Sequence, residues 1–161
     1  MNSLITSLLD LASTEKTDEN YLTESNLSKT IELTALTFEA KALEQNRKLL
    51  LNIQNEIYMK FNEDEIKQLV EILLDNALEH SKINSSINLN LYKEGKHVIL
   101  EIINEGAAIA AGDEEKIFER FYRADKSRTG ESNRYGLGLA IAKNIVKNQK
   151  NFMLQKIYIH F

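Results

Sequence analysis

Two asparagines and a closely spaced pair of glycines are the residues of this 161-residue chain whose types and spacing could do chemistry. Asn76 lies in EILLDNALEHS (Glu71–Ser81), where apolar residues recur at helical spacing. Asn is a poor choice for a helix interior, because its amide competes for backbone hydrogen bonds. On a helical wheel Asn76 sits at the edge of the apolar stripe, beside Leu69, Ile72 and His80. An amide there can ligate a hydrated Mg²⁺ while its helix stays docked; it can equally bond to a neighbouring loop. Asn104 lies in INEGAAI (Ile103–Ile109), where a strand runs into a glycine turn. Its carbonyl can accept from an adenine amino group, or the segment can be an ordinary strand end. Gly136 and Gly138, in YGLGLAI (Tyr135–Ile141), stand at the start of an apolar helix. Such a turn offers free N–H groups and a positive dipole end to phosphate, though by itself it is also a plain helix start. A fourth segment, IFERFYRADKSR (Ile117–Arg128), sets Ile117, Phe118 and Phe121 beside Arg120, Arg123, Lys126 and Arg128. Taken alone it reads as a core-anchored helix with a solvated basic rim.

Composition narrows the classes. The length suits one domain with a real core. Cysteine is absent, so there is no disulfide framework and no thiolate metal site. The net charge of −4, with both signs mixed, argues against a general nucleic-acid binder. His80, His97 and His160 are far apart and lack ligand spacing, which argues against zinc. No apolar run is long enough to span a bilayer, and the start does not resemble a signal peptide. A cytoplasmic location is the expectation.

The elements that must position these residues follow from periodicity. Leu4, Ile5, Leu8, Leu9, Leu11 and Ala12 predict a short helix over 3–12, and STEKTDEN (Ser13–Asn20) a linker. Ser28 is expected to cap a helix running to about Gln45, with Ile31, Ala35, Phe38 and Ala42 as its stripe. Leu49–Ile53 reads as a strand and Glu63–Ser81 as the clearest helix. SINLNLY and HVILEII, joined at KEGK, predict a hairpin over 86–103. Asp113 can cap a short helix through DEEKIFERFY; residues 124–135 are polar throughout and read as a mobile loop. A last helix over Leu137–Lys147 and a closing strand in FMLQKIYIHF complete the chain. The order suggests a two-layer α+β sandwich on a mostly antiparallel sheet.

In order and spacing, the four segments resemble the catalytic, ATP-binding domain of bacterial sensor histidine kinases. The wider group includes gyrase-type ATPases, the Hsp90 chaperones and the MutL proteins. EILLDNALEHS is similar to the family's N box, INEGAAI to its first glycine box, IFERFYRADKSR to its F box and YGLGLAIAKNIV to its second glycine box. The resemblance covers about 22–150. It implies a Bergerat-type α+β fold: a mixed sheet, three main helices on one face, and C-terminal strands that are incomplete here. It implies that Asn76 binds Mg²⁺ and that Glu79 and His80 face an ATP or ADP molecule. Asn104 takes the place of an adenine-reading Asp, with Gly106 making the turn. The resemblance further implies that Gly136, Gly138 and Leu139 carry phosphate contacts, that Ile109, Phe118 and Leu137 join the nucleotide-binding set, and that Arg123 and residues 124–135 form a mobile lid. Residues 1–12 resemble the remnant of the second dimerisation helix, 13–26 a linker, and 27–161 the catalytic domain.

The departures shape the expected activity. Ala108 replaces a glycine of the first glycine box. Ile72 stands one turn before Asn76, where the ATPase relatives have a water-activating Glu; Glu71 lies roughly 140° around the helix. That favours phosphoryl transfer to a protein nucleophile over hydrolysis. No H-E-x-x-T-P-like segment occurs, so the phospho-accepting histidine is expected on a separate helical domain, and the chain alone is not expected to autophosphorylate. Implied partners are that domain and, through the parent protein, a response regulator in two-component signalling; the chain itself is expected to be a monomer. Two alternatives stay open: a serine kinase of the anti-sigma-factor type, and a catalytically inactive, nucleotide-dependent binding module.

Overall fold

The computed structural model describes residues 2–14, 22–106, 112–123, 135–149 and 154–160, the last of these by backbone alone. In chain order the elements are α1 (Asn2–Thr14), β1 (Thr23–Asn26), α2 (Leu27–Leu36), α3 (Glu39–Glu44), β2 (Lys48–Ile53), β3 (Tyr58–Phe61), α4 (Glu63–His80), β4 (Ser86–Glu94), β5 (His97–Asn104), α5 (Gly138–Asn148) and β6 (Leu154–His160). A 3₁₀ turn, Lys116–Phe118, lies between β5 and α5.

The main sheet runs β2-β4-β5-β6. It is mixed: β2 pairs parallel with β4 and β6 parallel with β5, and only the β4–β5 hairpin is antiparallel. The mostly antiparallel sheet expected from element order is thereby corrected. Parallel neighbours need long crossovers, and α4 and α5 supply them. Alternation sets the two faces. Ile87, Leu89 and Leu91 of β4, with Val98, Leu100 and Ile102 of β5, are buried under the helices. The other face carries a polar ladder: Asn52 Nδ2 donates to Asn90 Oδ1 at 2.8 Å, and Asn90 Nδ2 donates to Glu101 Oε2 at 2.8 Å. These residues stand directly opposite one another in register, where cross-strand pairs are strongest.

Helices α2, α4 and α5 close the core. Leu27, Ile31 and Ala35 of α2 and Ile66, Leu69, Val70, Leu73 and Leu74 of α4 are almost fully buried, as are Ala142 and Ile145 of α5. Asn62 caps α4 by accepting from the Glu65 N–H at 3.0 Å.

Several boundaries differ from the sequence reading. Asn26, not Ser28, caps α2, accepting from the Lys29 N–H at 3.0 Å. Ser28 instead donates to the Gln54 carbonyl at 2.6 Å and accepts from the Ile57 N–H at 3.0 Å. The helix expected to reach Gln45 breaks at Thr37–Phe38 into α2 and α3. Thr34 Oγ1 bonds back to Thr30 O and Thr37 Oγ1 to Thr34 O, the kind of contact that bends helices. The expected linker over 13–26 holds a strand, since β1 pairs antiparallel with β3. The helix expected from Asp113 is only the 3₁₀ turn.

Helix α1 extends to Thr14 and lies against α5, with Leu11 buried. Asn148 Nδ2, at the end of α5, donates to Thr14 O at 2.7 Å. The next residue, Gln149, is fully buried and donates through Nε2 to Glu65 Oε2 at 2.7 Å. Burial pushes the Glu65 carboxyl above the usual carboxylate range, and bonds from Gln149 and Asn148 draw it partly back. The folded state therefore holds this proton more tightly than the unfolded chain. The stability it contributes is full below the unfolded pKa and is lost as pH rises through the folded one. Urea unfolding between about pH 4 and about pH 7 should show the wild type losing stability relative to Glu65→Gln as pH rises. A difference that is flat with pH would contradict this.

Candidate functional site

The C-terminal half of α4 organises the site. Ile72, Asn76 and His80 follow at four-residue steps and so share one stripe of the helix. At one end of the stripe is the start of α5, where a Cβ placed on Gly138 would meet Ile72 Cγ2 at 3.4 Å. At the other end is the turn after β5, where a Cβ placed on Gly106 would lie 2.4 Å from the His80 carbonyl oxygen. Asn76 stands between the two. Its Nδ2 is buried and has no hydrogen-bond partner among the described residues.

Asn104 closes β5 and is 4% exposed. Neither its Oδ1 nor its Nδ2 has a partner among the described residues. Buried polar atoms are nearly always bonded, so three orphaned amide atoms on the facing ends of α4 and β5 point to a ligand that completes them.

This junction is held by backbone. Ser81 and Gly106 form an isolated antiparallel bridge, and the Lys82 N–H donates to Glu105 O at 2.7 Å. Arg47 braces it, donating through Nε to Ser81 Oγ at 2.7 Å and through Nη2 to Ser81 O at 2.6 Å. Sequence reasoning missed Arg47. Its only signal was a basic residue just before a strand, and its partners are 34 residues away.

The ends of the segment between 121 and 136 also meet. The Phe121 N–H donates to Gly136 O at 3.0 Å. Gly136 has φ +70°, and a Cβ there would lie 2.8 Å from Tyr122 O. The preceding segment is pinned by Asp113, which accepts from Tyr122 Oη at 2.7 Å and from Lys116 Nζ at 2.9 Å. The Tyr122 hydroxyl, then Lys116, hold the Asp113 carboxyl below its ordinary range; the same carboxylate raises Tyr122. This cluster was not foreseen either.

Of the other expected site residues, Glu79 is half-buried and His80 exposed on α4. Leu137 is buried in the core, Leu139 packs against it, and Phe118 is half-buried in the 3₁₀ turn. Arg123 is exposed. Ile109, Ala108 and lid residues 124–134 lie outside the described residues. Among the described residues no three His, Cys, Asp or Glu side chains cluster as a metal site. An open groove between α2 and α4, lined by Asn26, Lys29, Leu33, Thr37, Lys67 and Glu71 among others, shares none of the site residues. It lacks orphaned polar atoms, and the site assignment rests on the α4–β5 junction.

A mixed sheet under three helices, with orphaned amides and two glycine turns converging on one helix, defines an α+β sandwich with its candidate site at the α4–β5 junction. The chain belongs to the family of histidine kinase-, DNA gyrase B- and HSP90-like ATPases, whose pattern matches residues 61–158. Among its relatives is sensor protein DltS of Streptococcus agalactiae serotype V, 37% identical over 93% of this chain and 38% of DltS. Sensor protein CiaH of Streptococcus pneumoniae serotype 4 is 34% identical over 97% of this chain and 35% of CiaH. The chain thus spans little more than a third of either relative. The catalytic domain of histidine kinase ThkA, solved in a nucleotide-free form, superposes with a TM-score of 0.68 at 26% identity, covering 79% of this chain and 80% of that one.

Gly136 and Gly138 differ in what a side chain would meet. Gly136→Ala should destabilise the fold by about 1–3 kcal/mol, since it meets both a left-handed φ and the Tyr122 carbonyl. Gly138→Ala sits in a helix with room for a methyl group and should be neutral or up to about 1 kcal/mol stabilising. Thermal and urea unfolding of the two variants check the contrast.

Proposed function

We propose that this chain is the ATP·Mg²⁺-binding catalytic domain of a sensor histidine kinase, which transfers the γ-phosphoryl group to a histidine on a separate helical domain. The observation that carries the reading is the set of buried, unpartnered amide atoms of Asn76 and Asn104 at the α4–β5 junction. In this reading Asn104 meets the base, Gly106 shapes the turn beneath it, and Asn76 holds Mg²⁺. The start of α5 (Gly136, Leu137, Gly138 and Leu139) approaches the phosphates, Leu137 through its backbone because its side chain is buried. Glu79, His80, Ile109, Phe118 and Arg123 line the remainder. Bound Mg²⁺ would neutralise phosphate charge and hold the chain of phosphates in one geometry. Gly138 needs no special backbone conformation, so its missing side chain is best explained by close approach of a ligand.

Transfer rather than hydrolysis is supported by Ile72. It meets the start of α5 with an apolar side chain, where a carboxylate would be needed to activate water. Glu71 is exposed and lines the α2–α4 groove instead. We read α1 as the end of a dimerisation helix, supported by its outward Ile5, Leu8 and Leu9. Among the described residues no helix is long and apolar enough to cross a membrane. We assign the domain to the cytoplasm, where ATP is available, acting as a monomer here and, in the parent protein, on a response regulator through its phosphohistidine.

Calorimetric titration with ADP and Mg²⁺ tests the reading. The wild type should bind, and Asn76→Ala should weaken binding at least about tenfold and remove most of its Mg²⁺ dependence. Gly138→Val should lose binding while its circular dichroism stays native. A folded wild type that binds no nucleotide, or a Gly138→Val that binds normally, would contradict it.

A further inference from the structure

Resting on that nucleotide-binding reading, the geometry points to a base subsite that accepts 6-oxopurine nucleotides as well as 6-aminopurine ones, with Asn104 as the residue that meets either base edge. The argument starts from what is buried. Asn104 is 4% exposed, and both ends of its carboxamide lack partners among the described residues. A carboxylate at this position would offer acceptors only; the carboxamide offers one acceptor and one NH₂ donor side by side. Filling one and leaving the other empty would strand a buried polar group, so the fitting ligand presents a donor beside an acceptor.

The Watson–Crick edge of a purine does so in either sense. Adenine sets an N6–H donor beside the N1 acceptor; hypoxanthine sets the O6 acceptor beside the N1–H donor. A carboxamide turned over by half a rotation about its last bond matches the second as well as the first. Two features leave Asn104 free to turn. No described residue bonds either end of the amide and so fixes its orientation. On the Nδ2 side, Gly106 carries no side chain; a Cβ there would stand 3.0 Å from Nδ2.

The test is calorimetric titration of the whole chain with ADP and with IDP, both with Mg²⁺, at roughly pH 8 so that an introduced carboxylate is ionised. The wild type should bind IDP within about tenfold of ADP. Asn104→Asp should change ADP and IDP affinity by similar factors, because a carboxylate that accepts from the purine N–H sets its second oxygen against adenine N1 or hypoxanthine O6 alike. A wild type that binds ADP yet rejects IDP by a hundredfold or so overturns the inference and leaves the nucleotide site intact. A folded wild type that binds neither overturns both. The wild-type ratio decides the matter even where Asn104→Asp fails to fold.

Discussion

The clasp between the end of β5 and the end of α4 is the constraint on which the site depends. Ser81 and Gly106 exchange backbone contact, Lys82 bonds to Glu105, and Arg47 ties the Ser81 side chain and carbonyl to the β2 layer. Without that clasp Asn104 would not be drawn beneath the helix that carries Asn76. The clasp in turn demands Gly106, because any Cβ there would collide with the His80 carbonyl. The buried amides are thus set by two backbone segments meeting, not by a flexible loop. A small domain can in this way hold buried polar atoms in fixed positions.

The second boundary of the site is built differently. At Phe121–Gly136 the chain returns to itself through one backbone bond and a left-handed glycine, with Asp113, Lys116 and Tyr122 pinning the approach. The far end of α5 is fixed independently, by Asn148 on Thr14 and the buried Gln149 on Glu65. Helix α5 is therefore held at both ends, and its start can meet a charged ligand without loss of registry against Ile72.

Much of this was legible in the sequence. The strong period of Ile66, Leu69, Val70, Leu73, Leu74 and Ala77 marks α4 to within a residue, and alternation marks the β4–β5 hairpin. Asn76, Asn104 and the glycine turns were recognisable because each breaks a local rule: a polar amide on an apolar stripe, or glycine beside a helix. What was hidden depends on long-range partners. Strand direction in the sheet follows from crossovers, which alternation does not encode. Arg47 acts on Ser81 from far along the chain, and Asn26 outcompetes Ser28 as a cap because Ser28 is taken up by Gln54 and Ile57. The break between α2 and α3 comes from threonine hydroxyls that a stripe of Ile31, Ala35, Phe38 and Ala42 conceals.

Hydrogen–deuterium exchange with and without ADP·Mg²⁺ tests the central claim most directly, because it reports where the ligand acts as well as whether it binds. The account predicts added protection at residues 76–81, 104–106 and 136–139, with the α2–α4 groove around Lys29 and Lys67 unchanged. Protection centred on that groove, or none at the α4–β5 junction under saturating nucleotide, would contradict it.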